Sequence, residues 1–165
     1  MFKPVIMAIA AFSTLSFCDT AEERAEAHYQ SALELLEQGD VDRAAVEFRN
    51  VFDLNGLHRD ARRTYAELER ERGNLRAAYG QYLRLVEQYP DSLPGQRALA
   101  EMSLRSNDWD AARRHGAAAA ELDPEDHLVQ AVNIAVAYRD ALAAGDTAAQ
   151  REAATRARAL VTEDG

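Results

Sequence analysis

Charge is absent from the fourteen residues Pro4 to Phe17, "PVIMAIAAFSTLSF", which follow a single cation at Lys3. At Asp19 the character flips to "DTAEERAE", and the rest of the chain has the composition of water-exposed helices. Fourteen apolar residues fall short of the roughly 20 that a helix needs to cross a bilayer. They match the apolar region of a secretory signal, which is set aside before the fold is considered. The sequence therefore predicts a signal peptide over 1–18, a short tether over 19–24 and a helical domain over 25–162.

Within that domain the pattern recurs with a period of about 34 residues. Gly39 aligns with Gly73 and Asn107, Asp40 with Asn74 and Asp108, and Ala44 with Ala78 and Ala112. Ala32, Ala66 and Ala100 also share one register, as do Phe48 and Tyr82, Val51 and Leu85, and Gly56, Pro90 and Pro124. Each unit reads as two helices. "EQGDVDRA", "ERGNLRAA" and "RSNDWDAA" are the turns between them. Gly39 and Gly73 suit a left-handed residue that ends the first helix, and Asn107 tolerates it next best. Asp40, Asn74 and Asp108 are placed to cap the second helix, with Val41, Leu75 and Trp109 closing the hairpin top. The paired alanines allow the two helices to cross closely. Pro90 and Pro124 end the second helix and lead into the next unit.

This register resembles the tetratricopeptide repeat (TPR), a unit of two antiparallel helices about 34 residues long. The resemblance implies an all-α fold, an α-solenoid of antiparallel helix pairs. Three full repeats, 25–58, 59–92 and 93–126, precede a fourth, degenerate or capping pair over 127–162. The fourth turn, "AAGDTA", comes late: the period would put its glycine at Ala141, yet it stands at Gly145, so the first helix of that unit is one turn longer. Ala149, Ala153, Ala157, Leu160 and Val161 then form a thin apolar stripe, more like a solvating cap than a packed repeat. Gly116 stands where Phe48 and Tyr82 stand earlier, which predicts either a groove or a close approach of the last pair.

The resemblance also implies a concave face lined by the first helix of each pair. Carried over position by position, that face holds Tyr29, Leu33, Leu36, Arg63, Glu67, Arg70, Arg97, Glu101, Leu104 and Arg105. Arg63 and Arg97 are one period apart, as are Glu67 and Glu101. Two readings follow. The arginines form a ladder that grips carboxylates of a partner, or they pair at i,i+4 with Glu67 and Glu101 on a solvated face. The Lys/Asn/Arg carboxylate clamp of chaperone-binding TPR domains is missing at these positions.

The junction "LSFC" resembles the lipobox of bacterial lipoproteins, with Cys18 as the lipidation site and Phe17 where that pattern has a small residue. Ordinary cleavage after Cys18, an uncleaved short anchor and a cytoplasmic thiol are the competing readings. A single cysteine allows no intrachain disulfide. The net charge of -9 disfavours nucleic acid and argues against membrane binding through a basic patch. His28, His58, His115 and His127 show no i,i+4 spacing of a helix-borne metal site, and no phosphate loop or G-x-S-x-G is present. The sequence thus predicts a non-enzymatic protein–protein adaptor without a cofactor. Its expected setting is the bacterial envelope, exported, facing the periplasm and anchored through Cys18. A regulatory helical domain of a longer protein and a glycan- or peptidoglycan-binding module are the alternatives.

Overall fold

The computed structural model describes residues 20–163; the predicted signal peptide and Cys18 lie outside them. The described residues form eight α-helices and no strand. They are α1 (Ala21–Glu37), α2 (Val41–Leu54), α3 (Arg59–Glu71), α4 (Leu75–Gln88), α5 (Leu93–Arg105), α6 (Trp109–Leu122), α7 (His127–Ala144) and α8 (Thr147–Glu163). Successive helices pack as hairpins, α1 on α2, α3 on α4, α5 on α6 and α7 on α8, and each hairpin stacks on the next. Helix α1 begins four residues ahead of the boundary drawn from the period. Thr20 accepts from the Glu23 amide at 3.1 Å while the Glu23 carboxylate accepts from the Thr20 amide at 2.7 Å, so a capping box starts the array.

The hairpin turns share one geometry. Gly39, Gly73, Asn107 and Gly145 have φ of 75°, 78°, 62° and 68°. At each, the turn residue and its successor donate backbone bonds into the last turn of the preceding helix, as Gly39 to Leu36 and Asp40 to Leu35. Asp40 and Asp108 then cap the next helix, accepting from the amides of Arg43 and Ala111. Asn74 occupies the same position without capping. Its side-chain amide donates instead to Glu69 Oε2 at 3.0 Å.

All three alanine pairs, Ala32/Ala44, Ala66/Ala78 and Ala100/Ala112, are fully buried where the hairpin helices cross. Phe48, Tyr82, Val51 and Leu85 fill the space toward the following hairpin. Gly116 resolves to the close approach. Asn133 of α7 donates to its carbonyl at 3.0 Å, and a Cβ at Gly116 would lie 2.4 Å from Asn133 Oδ1. Leu75 departs from expectation: it does not close its hairpin top but is 56 % exposed.

A polar lattice runs through the apolar repeat. Residues 19 apart join the two helices of the first three hairpins: His28 to Glu47, Arg62 to Gln81 and Gln96 to His115. From the same positions, Arg62, Gln96 and Gln130 donate to the carbonyls of Gly56, Pro90 and Pro124, six residues back. Each donor thus ties its helix to the loop that delivers it. Arg62 is buried without a carboxylate in reach. Its charge is held by three acceptor oxygens and the Phe52 ring, 4.5 Å away, while burial lowers its pKa.

Candidate partner-binding surface

The hairpin ends of α3 and α5 and the start of α4 enclose a groove of about 740 Å³. Tyr79 and Met102, both half-buried against the second core cluster, supply its apolar floor. Leu75 stands on its wall, exposed to solvent. Arg70, Arg76 and Arg105 carry the positive charge of the lining and Glu71, Glu101 and Asp108 the negative. Glu101 is shared: Arg70 lies 3.6 Å and Arg105 3.1 Å from its carboxylate. Two guanidiniums on one carboxylate leave a cation in excess at that point. Arg76 has no carboxylate within ion-pair distance among the described residues.

The sequence-derived set thus divides. Arg70, Glu101 and Arg105 come together in this groove. Arg63 turns to Asp60 at 3.6 Å, and Arg97 reaches forward to Asp126 at 3.1 Å, where Asp126 also caps α7. Among the described residues neither arginine pairs with the glutamate four positions on, and neither stands free as a rung of a ladder. Glu67 and Leu33 are half-buried. Tyr29 and Leu36 pack against the first core cluster, Tyr29 lying 4.8 Å from the His58 ring. Leu104 packs against the third. Tyr79, Met102 and Arg76 of the groove were missed by the sequence reading, since two of them sit on α4, the second helix of its pair.

His28, His58 and His115 bond within the helical array. His58 Nδ1 accepts from the Ala61 amide as the cap of α3, so Nε2 carries the proton donated to Glu26 at 3.1 Å. His115 Nδ1 donates to Gln96 Oε1 at 2.8 Å, and burial pushes its pKa below the usual histidine value. His28 bonds to Glu47, whose carboxyl pKa that bond lowers. Among the described residues no group of three or more His, Cys, Asp or Glu is placed to hold a metal ion. No described helix is long and apolar enough to cross a membrane.

Residues 35–102 match the tetratricopeptide repeat family. A solved structure described as "MamA RS-1 ArsTM double mutant" is similar over 85 % of this chain and 76 % of its own, with a TM-score of 0.64 at 18 % identity. That likeness is one of fold. No curated protein matches the sequence. Stacked hairpins of this kind generally serve as interaction scaffolds without catalytic machinery. The period, the paired helices and the family match over residues 35–102 agree on a tetratricopeptide-repeat fold.

Proposed function

We propose that this protein is a non-catalytic adaptor that takes a segment of a protein partner in the groove between its second and third repeats. The observation that carries the reading is Leu75, exposed above an apolar floor and ringed by Arg70, Arg76 and Arg105. Such a groove suits a segment with an apolar anchor and a neighbouring carboxylate, which the guanidiniums bind by charge-assisted hydrogen bonds. The test compares wild type with Leu75→Asp and with Arg70→Glu/Arg105→Glu as baits in solubilised bacterial envelope. Loss of the same partner from both variants is expected, with Arg63→Glu/Arg97→Glu retaining more, since those two arginines are already engaged. Recovery of identical partners by every bait refutes the groove.

We place this activity in the envelope, on the periplasmic side, with Cys18 as the lipidated residue. Support comes from the signal-like run before Cys18 and the Thr20 cap two residues after it. Two residues span at most about 7 Å, so an acylated Cys18 would seat the first hairpin at the membrane surface. The acyl chains would hold an acidic domain there by apolar burial rather than by charge. Labelled fatty acid incorporated by the wild type and lost in Cys18→Ser supports this anchor. Unchanged membrane retention of that variant sinks it.

A further inference from the structure

The last hairpin presents an apolar groove of about 550 Å³, bounded by Trp109, Ile134, Tyr138 and Leu142 on one side and Ala157 and Val161 on the other. Tyr138, Leu142 and Val161 are 42, 56 and 75 % exposed. We infer that this groove is a second docking seat, filled by an amphipathic helix of another protein in the position that a fifth hairpin's first helix would take. It is separate from the groove at Leu75.

The repeat itself defines the seat. Phe48, Tyr82 and Gly116 share one register position, and Val51, Leu85 and Ala119 another; all six are buried. In each unit the following helix covers them or their neighbours. Tyr65 of α3 stacks on Phe48 at 5.4 Å, Gly95 of α5 abuts Leu85 and Val86, and Val132 and Asn133 of α7 close on Gly116. Gly145 takes the place of Asn107 in the last unit, and the same shift carries Gly116 to Ala154 and Ala119 to Ala157. These two line the groove and remain half-exposed. The surface is therefore continuous in kind with the interfaces along the array.

The same register argues against a second copy as the occupant. The helix faces that fill the earlier seats carry Ala61, Tyr65 and Leu68 in α3, Gly95, Leu99 and Met102 in α5, and Val129, Asn133 and Val136 in α7. The matching positions of α1, the only first helix with no hairpin before it among the described residues, are Ala27, Ser31 and Glu34, none of them buried. That face is built for water, and stacking it on the groove would desolvate Glu34 against apolar side chains. Charge defines the partner further. Arg139 is the one charged side chain lining the groove. It lies over the Trp109 ring at 5.5 Å without a carboxylate at ion-pair distance among the described residues. The partner helix then carries small or aliphatic residues at i and i+7 of its facing side and an acidic residue beside them.

Trp109 is the only tryptophan of the chain, so its emission reports on the seat directly. The probe is a peptide of residues 126–144, the helix that fills the equivalent seat on α6, titrated into the full chain. The expected result is a saturable blue shift of Trp109 emission, weakened at least about tenfold by Ala157→Arg or by Val161→Arg, since either puts a guanidinium into apolar contact. Unchanged circular dichroism of both variants keeps the comparison on binding. Peptide 21–37, with its polar face, produces no shift. Three results overturn the inference: no shift with peptide 126–144, a shift unaffected by the arginine variants, or a shift produced by concentrating the protein alone. The last would assign the seat to a second copy. A Trp109 already shielded and indifferent to peptide, as when a further helix of the same polypeptide fills the seat, overturns it equally.

Discussion

Gly116 is where the repeat pattern breaks, and replacing it tests how the last hairpin is held. The glycine sits inside α6, where alanine is favoured by about 1 kcal/mol on helix propensity alone. Against that, a Cβ there would lie 2.4 Å from Asn133 Oδ1 and 3.4 Å from Asn133 Cγ and Val132 Cγ1. The amide must move, and the 3.0 Å bond from Asn133 Nδ2 to the Gly116 carbonyl goes with it. Overpacking of this kind costs about 1–3 kcal/mol and the hydrogen bond about 1 kcal/mol. Gly116→Ala should therefore destabilise the protein by about 1–3 kcal/mol net.

In an Asn133→Ala background the obstruction is gone, and Val132 Cγ1 alone makes a tolerable contact. The same Gly116→Ala change should then stabilise by about 1 kcal/mol, reversing sign. The coupling read from the double-mutant cycle is about 2–4 kcal/mol, well beyond what independent sites show. Urea unfolding followed by far-UV circular dichroism measures it; in thermal melts each kcal/mol corresponds to roughly 2–4 °C for a chain of this size. Equal destabilisation in both backgrounds would refute the reasoning, because the requirement for glycine would then not lie in Asn133. Gly116→Phe follows from the same contact: it can be housed only if the last hairpin moves outward.

Gly80 is the counter-case, a helical glycine in α4 with nothing within 4 Å of its Cβ position. Gly80→Ala should raise unfolding free energy by about 1 kcal/mol, and a loss would contradict the open space there. Ser103 is fully buried in α5 and its hydroxyl has no hydrogen-bond partner among the described residues. Ser103→Ala should stabilise by about 1 kcal/mol in urea titrations, while destabilisation would reveal a bond the geometry lacks. Burial first, then the charge of Arg114, lowers the pKa of His115 from 6.5. The unfolded chain takes up that proton first, so the stability His115 contributes is complete above pH 6.5 and declines as pH falls through the lowered value. His115→Gln should flatten melting temperature against pH in that window. A second decline below pH 4.5 remains, from Glu26 and Glu47, whose pKa values are lowered chiefly by bonds from Gln30 and His28 respectively.

Much of the fold was legible because a repeating unit samples each structural constraint several times. The left-handed turn at Gly39 recurs at Gly73 and is confirmed by Asn107, which accepts φ of 62° in the same place. The alanine pairs were readable for the same reason, since only small residues fit where two helix axes cross closely. The side chains at the groove were less so. Glu101 chooses Arg70 and Arg105 over Arg97, four residues away on its own helix, because packing of neighbouring hairpins brings Arg70 within reach and draws Arg97 off to Asp126. Local i,i+4 spacing carries no information about such inter-helix distances. Asn74 fails as a cap for a related reason: Glu69 presents a carboxylate at the end of α3 that no cap preference anticipates.

The polar lattice went unread although it is as periodic as the alanines. Histidine, arginine and glutamine at positions 28, 62 and 96 look unrelated when residues are compared by type. They are alike in one respect: each bonds a side chain 19 residues on, and Arg62, Gln96 and Gln130 each also reach the carbonyl six residues back. The fold thus demands a bonding reach at that position and not a charge or a size. A charge is admitted at Arg62 because Gly56, Gln81, Gln88 and the Phe52 face surround it with acceptors. Buried polar bonds of this sort add little net stability, yet leaving one unmade is costly. Slipping one helix of a hairpin against the other would strand these groups, so the lattice disfavours every register of the pair but the observed one. Alanine packing, which is permissive of sliding, does not supply that constraint. Close packing sets how near the paired helices lie, and the polar positions set where they stop.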